Sequence, residues 1–417
     1  MRTVAHDAPF AEPAPAVASP IPLCVPEIRG NEWAYIKECL DTNWVSSVGE
    51  YVDRFEHALA NATGAQYAVA TSSGTSALHT ALMVAGVEAD DEVLVSTLTF
   101  IAPVNAIRYV GAWPVFIDAE PDFWQMDTAL AARFLETKCE RRGNALYDRA
   151  TDRRVRALLP VHVMGHPVDM APLLDLARRY DLIVIEDATE SLGARYRGTR
   201  VGHMGDVACF SFNGNKLITT GGGGMLVTDR EDWARRAKYL TTQAKDDPIE
   251  FEHGAVGYNY RLTNIQAAMG VAQMEQLPDF LAAKRRIASC YTDALADVPG
   301  LEPMREAPWA SSAWWLYTID VDEARFGTDA RGLMRALAAR NIQTRPLWQP
   351  LHQSPAHAAS PALPCPVAEA AYRNSISLPC SVGLTPAAQA AVIAAIREIG
   401  ASALTAPSSP PPMPEPT

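Results

Sequence analysis

The chain has 417 residues, 48% of them hydrophobic and 20% charged, enough for one large packed domain with a smaller one beside it. Acidic residues outnumber basic ones by 48 to 36, giving a net charge of −12. That leaves no basic surface to neutralise phosphates and argues against nucleic acid as a partner. No apolar run reaches the roughly 18–20 residues of a membrane-spanning helix, and the seven cysteines are scattered without a CxxC pair, which argues against a metal or disulfide framework.

Residues 1–21 are rich in Ala and Pro and lack the charged-then-apolar pattern of a signal peptide, so they read as a disordered tail on a cytoplasmic chain. A helix is expected over Ile28–Leu40 with Asn31 as its cap, then a polar and aromatic loop carrying Trp44, then a second amphipathic helix over Tyr51–Asn61. Tyr67–Ala70 reads as a strand that runs into Thr71-Ser-Ser-Gly-Thr-Ser-Ala-Leu78, which opens a helix. Small residues at such a turn leave backbone N–H groups exposed at a helix start, a ready anion site, although a plain Ser73 or Thr75 cap explains the same residues. Strands follow at Glu92–Ser96, Trp113–Asp118 and Val155–Val163, with Phe100 in the loop after the first of them. His162 and His166 are read as hydrogen-bonded packing residues and given no role.

Leu182–Ile185 is a short β-branched run ending in Glu186 and Asp187, and Val207–Phe212 is a second apolar run ending in a loop with Lys216. In a parallel sheet these runs are buried strands, and ligand groups gather at their carboxyl ends. Strand-end acids and loop lysines are commonly solvated, but here Ser211 stands five residues before Lys216 and Gly221-Gly-Gly-Gly224 follows it. The glycines are expected to make a tight hairpin under a bound group. A lysine that attaches to a cofactor carbonyl, with an acid that keeps a pyridine nitrogen protonated, is the pair a pyridoxal phosphate (PLP) enzyme needs.

The segment Ser211-Phe-Asn-Gly-Asn-Lys-Leu-Ile-Thr-Thr-Gly-Gly-Gly-Gly-Met225 resembles the lysine motif of the DegT/DnrJ-type nucleotide-sugar aminotransferases. The resemblance extends over residues 22–402 and implies a fold-type I α/β architecture: a large domain (22–270) with a mixed, mainly parallel sheet sandwiched by helices, and a smaller α+β domain (271–404) before a Pro-rich tail (405–417). Within that small domain the sequence shows a long helix from about Pro278, a strand over Trp314–Val321, a helix over Asp329–Arg340 and an Ala-rich helix over Pro386–Ile399. By resemblance, Lys216 is the catalytic, cofactor-bearing lysine and Asp187 the acid at the ring nitrogen. Gly74, Thr75 and Ser211 hold the phosphate, Phe100 lies on the ring, and Glu190 sits near the phenolic oxygen. Asn259, in Gly257-Tyr-Asn-Tyr-Arg-Leu-Thr-Asn264, serves the neighbouring subunit's phosphate, which implies a homodimer with shared sites. Trp44, Arg345 and Trp348 are expected on the substrate side.

The same resemblance implies transfer of an amino group from L-glutamate to the C4 keto group of a nucleotide-linked 4-keto-6-deoxy sugar. Gly30-Asn-Glu-Trp33, Phe212–Lys216, Thr241–Asp247 and Arg345–Trp348 point to the branch acting on UDP-4-keto-6-deoxy-N-acetylhexosamines. The perosamine-type branch, which uses GDP-4-keto-6-deoxymannose, is the alternative. A sugar 3-dehydratase of the same fold, with histidine in place of the lysine, is argued against by Lys216, and a non-catalytic PLP-binding regulator is the remaining rival.

Overall fold

The computed structural model describes residues 19–247 and 249–405. The expected tails therefore lie outside the described residues, except at their inner ends. Ile21, at the inner end of the expected tail, is buried and exchanges backbone hydrogen bonds with Asn341 and Gln343.

Two helices, α1 (Glu32–Asp41) and α2 (Glu50–Thr63), precede a βα succession: β1 (Tyr67–Thr71), α3 (Gly74–Val84), β2 (Glu92–Ser96), α4 (Ala102–Tyr109), β3 (Trp113–Ile117) and α5 (Thr128–Lys138). Then come a hairpin, β4 (Cys139–Arg142) with β5 (Ala145–Asp148), followed by β6 (Arg154–Leu159), α6 (Met170–Tyr180) and β7 (Ile183–Asp187). Two short strands, β8 (Arg195–Tyr196) and β9 (Thr199–Arg200), lead to β10 (Val207–Ser211), β11 (Gly224–Thr228), α7 (Glu231–Thr241) and α8 (Asn264–Glu275). Among the described residues the main sheet has nine strands, in the order β1-β11-β10-β7-β6-β2-β3 with the β4–β5 hairpin on β6. β10, β7, β6, β2 and β3 run parallel, whereas β11 is antiparallel to both of its neighbours.

Alternation along the strands sends side chains to opposite faces. Val207 and Cys209 of β10 enter the core under α3, α4 and α7, while Ala208 and Phe210 enter the one built with Phe55 of α2 and Ala267 and Val271 of α8. β6 and β7 divide in the same way, Ala157 and Ile185 to the first face and Leu158 and Val184 towards α5 and α6. Burial on both faces is why these strands read as continuous apolar runs rather than alternating ones.

The remainder is α9 (Leu277–Leu295), β12 (Leu301–Pro303), β13 (Ala310–Ser311), β14 (Tyr317–Val321), α10 (Glu323–Phe326), α11 (Ala330–Ala338), β15 (Arg345–Pro346), α12 (Pro366–Asn374), β16 (Ser375–Leu378) and α13 (Pro386–Thr405). β12-β14-β16-β15 form a small antiparallel sheet, and β13 joins β8 and β9. The glycine run is not a tight hairpin as expected. β10 and β11 are joined by a wide loop, residues 212–223, and the glycines lie at its far end where the chain re-enters the sheet.

Candidate active site

β1, β2, β7 and β10 all point their carboxyl ends to one side of the sheet, and a cavity of about 290 Å³ opens there. Ser72, Gly74, Thr75, Phe100, Asp187, Glu190, Ser211, Lys216 and Trp348 line it. Eight of the eleven residues singled out from the sequence are thus brought together from five separate segments.

The floor is the start of α3. Ser73 caps this helix, its hydroxyl accepting from Ser76 N–H at 3.0 Å and its carbonyl from Ala77 N–H at 3.0 Å. The N–H groups of Gly74 and Thr75 come earlier in the turn, where a helix offers no internal acceptor. Two glycines make the close packing possible. A Cβ on Gly74 would stand 2.7 Å from Ser211 Cβ, and one on Gly224 would stand 2.4 Å from the Ser73 carbonyl carbon and oxygen. Glycine at these two places lets β10 and β11 run directly beneath the helix start, so that Ser211 joins two N–H groups and a positive helix end around one point. That is an anion cradle.

The two acids ending β7 are separated by strand alternation. Glu186 is fully buried on the far face and saturated: it accepts from the backbone N–H groups of Gly202, Met204 and Gly205 and faces His162 Nε2 at 3.0 Å. Burial pushes its carboxyl up, but the hydrogen bond from His162 and the backbone N–H groups of Gly205 and Met204 outweigh that and hold it low. Asp187 faces the cavity with one hydrogen bond, from Thr189 N–H at 3.1 Å, and burial pushes its carboxyl up. A desolvated carboxyl of this kind favours a cation beside it, which is what a protonated pyridine nitrogen provides. His162 and His166 have packing roles, as expected: His162 Nδ1 accepts from Val168 N–H and His166 Nε2 accepts from Ala307 N–H, both at 3.0 Å.

Lys216 reaches into the cavity with Nζ 3.4 Å from Glu190 Oε1 and 3.8 Å above the centre of the Trp315 indole. Burial raises Glu190 to about 7 against the opposing pull of the Lys216 charge. Its other oxygen accepts from Met164 N–H at 2.8 Å, and Met164 takes a left-handed backbone (φ 60°) to present that group. Trp315 was not anticipated from the sequence. It also donates from its indole N–H to the Asn215 carbonyl at 2.7 Å and stacks on Trp348 with ring centres 6.2 Å apart. The paired tryptophans Trp314-Trp315 before a strand were the available signal. Asn213 and Asn215, which stood in the lysine motif without an assigned role, and Thr189 are further lining residues.

Three expected residues do not enter this cavity. Trp44 lines a separate cleft with Val48, Lys238 and Arg261, because Asn264 of α8 donates to its carbonyl at 2.7 Å and pins the α1–α2 connection there. Arg345 is exposed on the edge strand β15, its guanidinium on the Thr344 carbonyl. Asn259 accepts from Arg261 Nε at 3.2 Å and does not reach the cradle of its own chain.

The cradle, the buried acid and the amine fit PLP, and they stand on the sheet of the PLP-dependent aminotransferases. The family model of the DegT/DnrJ/EryC1/StrS aminotransferase family matches residues 26–397, and the chain belongs to that family. It is 38% identical over 380 residues to the GDP-perosamine synthase of Caulobacter vibrioides, covering 91% of this chain and 98% of that one. It is also 38% identical over 359 residues to the GDP-perosamine synthase of Escherichia coli O157:H7, covering 86% and 93%. Among solved structures, DesV of S. venezuelae in complex with a ketimine intermediate superposes with a TM-score of 0.80 at 33% identity, over 89% of this chain and 94% of that one. The protein is therefore an aminotransferase that uses pyridoxal phosphate, with a nucleotide-linked sugar as its substrate class.

Proposed function

We propose that the enzyme moves an amino group from L-glutamate to the C4 keto group of GDP-4-keto-6-deoxymannose. The observation that carries this reading is the near full-length similarity to GDP-perosamine synthases from three organisms. It replaces the UDP-N-acetylhexosamine substrate expected from the sequence motifs. Those motifs rested on segments such as Gly30–Trp33 and Arg345–Trp348, and Arg345 lies outside the cavity.

PLP, when bound, supplies the carbonyl and the electron-accepting ring that make amino transfer possible. The chain's own residues do the rest. Gly74, Thr75 and Ser211 bind the phosphate, and Asp187 holds the ring nitrogen charged. Phe100 and Trp348 wall the cavity and exclude water. Lys216 takes the proton from the donor's α-carbon at Nζ and returns it on the product side. Trp315 steadies the ammonium from below by its ring face, and Glu190, 3.4 Å away, shares the proton.

The working unit in this reading is a homodimer in which Asn259 completes the neighbour's phosphate site. Asn259 and Trp44 lie outside their own cavity, and exposed apolar residues, among them Val48, Phe251 and Val256, offer surface that a second copy would cover.

Both keto-sugars should be offered with glutamate. The GDP-linked sugar is expected to be favoured in kcat/KM by at least about tenfold, or roughly 1.4 kcal/mol of transition-state discrimination. Equal values, or preference for the UDP-linked sugar, would overturn the assignment.

A further inference from the structure

Behind the lysine loop lies a cluster that amino transfer does not use. Lys284 of α9 is 1% exposed and donates to the carbonyls of Trp315 at 2.8 Å and Cys380 at 2.5 Å. Its Nζ is also 3.7 Å from Cys24 Sγ and 3.6 Å from Cys380 Sγ. One buried ammonium thus sits against two thiols. The backbones that carry them run side by side: Cys380 N–H donates to the Leu23 carbonyl at 2.7 Å, and Val25 N–H donates to Ser381 Oγ at 3.0 Å. That spacing, about 5 Å between adjacent chains, is within the range a disulfide spans.

The cluster is joined to the active site. Cys24 Sγ–H donates to the Asn215 carbonyl at 3.4 Å, the same oxygen that holds the Trp315 indole N–H, and Trp315 underlies Lys216. Cys24 is half-buried and Cys380 fully buried, so a small oxidant meets Cys24 first.

We propose that Cys24 and Cys380 form a reversible redox pair, with Lys284 as its activating cation and hydrogen peroxide as the class of oxidant. Cys24 is the less buried of the two thiols and has the Lys284 ammonium 3.7 Å from its sulfur; the neighbouring Cys380 thiol and the charge of Lys284 outweigh burial and pull Cys24 below the ordinary thiol range, so Cys24 is the nucleophile. Its sulfur attacks peroxide: an S–O bond forms, the O–O bond breaks, and hydroxide leaves to be protonated to water. The Cys380 sulfur then attacks the Cys24 sulfenic acid. The S–S bond forms, the S–O bond breaks, and the departing hydroxide takes the Cys380 proton as a second water. Two thiols are oxidised and one peroxide is reduced. The disulfide removes the S–H donor from the Asn215 carbonyl and so disturbs the support of Lys216.

The test uses the full-length holoenzyme carrying Cys290→Ser, which removes the exposed thiol. After a small excess of peroxide, intact mass should fall by about 2 Da, for two hydrogens lost, and peptide mapping should find Cys24 joined to Cys380. Dithiothreitol should reverse both changes. The absorption of the bound cofactor should change with oxidation and recover with reduction. Adding Cys380→Ser should abolish the cross-link and leave Cys24 as a sulfenic acid trapped by dimedone. Should that variant fail to fold, the mapping of the parent protein decides. Oxygen added to Cys24 without a cross-link, a Cys24–Lys284 adduct, or thiols left unchanged would each overturn the proposal. A cross-linked protein with an unaltered cofactor spectrum would overturn the link to Lys216.

Discussion

Gly224→Ala is the sharpest test of how the cradle is built. The new Cβ would lie 2.4 Å from the Ser73 carbonyl carbon and oxygen and 2.5 Å from Gly74 N, where non-bonded carbons settle at about 3.5–4.0 Å. Both walls are backbone, so β11 and the start of α3 must separate by on the order of 1 Å, at a cost of roughly 1–3 kcal/mol for overpacking. That movement carries the Gly74 and Thr75 N–H groups away from Ser211. PLP affinity should fall at least about tenfold, equivalent to 1.4 kcal/mol. Gly222→Ala is the control, because its Cβ would meet nothing closer than Gln266 Nε2 at 3.7 Å. Thermal melts of the apoproteins and titration with PLP by absorbance measure both effects. If Gly224→Ala matched Gly222→Ala in melting temperature and PLP affinity, the close approach of β11 to α3 would not be what shapes the phosphate site.

Other outcomes follow from the same geometry. Lys216→Ala should abolish turnover and covalent attachment of the cofactor while leaving the fold intact, as circular dichroism and activity assays would show. Asp187→Asn should keep PLP better than it keeps activity, since a neutral amide cannot hold the ring nitrogen charged, and equal turnover to the parent would mark Asp187 as structural. Glu190 is held near 7 in the folded apoprotein, above its unfolded value of roughly 4.3. Its contribution to stability is thus complete below that lower value and is lost as pH rises through 7. Glu190→Gln should therefore gain stability relative to the parent between pH 5 and 8, by up to about 3 kcal/mol, and parallel denaturation curves at the two pH values would contradict this. Mixing Lys216→Ala chains with Asn259→Ala chains should recover activity in the heterodimers that contain one intact site, and no recovery after mass-confirmed exchange would place Asn259 in its own subunit's service.

The parts of the site legible in the sequence were those written by local rules. β7 and β10 showed as β-branched or apolar runs because both of their faces are buried, and their ends located Asp187 and Lys216. Thr263 and Gln266 form the capping box of α8, a helix start that a threonine followed by glutamine three residues on marks locally. What stayed hidden depends on distant partners. β8 and β13 have two residues each and pair across more than a hundred positions, which no periodicity records. β4 carries Glu140, Arg141 and Arg142 and reads as a polar loop, yet it pairs with β5 at the sheet's margin, where charged side chains are tolerated. The strand expected to run to Val163 ends at Leu159, because Pro160 has no N–H for the ladder. Trp315 reaches Lys216 from the far side of the chain, a contact fixed by packing of the C-terminal segment and absent from any local motif.

The central claim is that Lys216, placed over Trp315 and beside Glu190 and Asp187, is the residue that carries the cofactor. Borohydride reduction of the PLP-loaded enzyme, followed by peptide mapping, tests it directly. The account predicts the phosphopyridoxyl group on Lys216 and none on the Lys216→Ala protein. Finding it on another lysine, or finding the same labelling in the variant, would contradict the account.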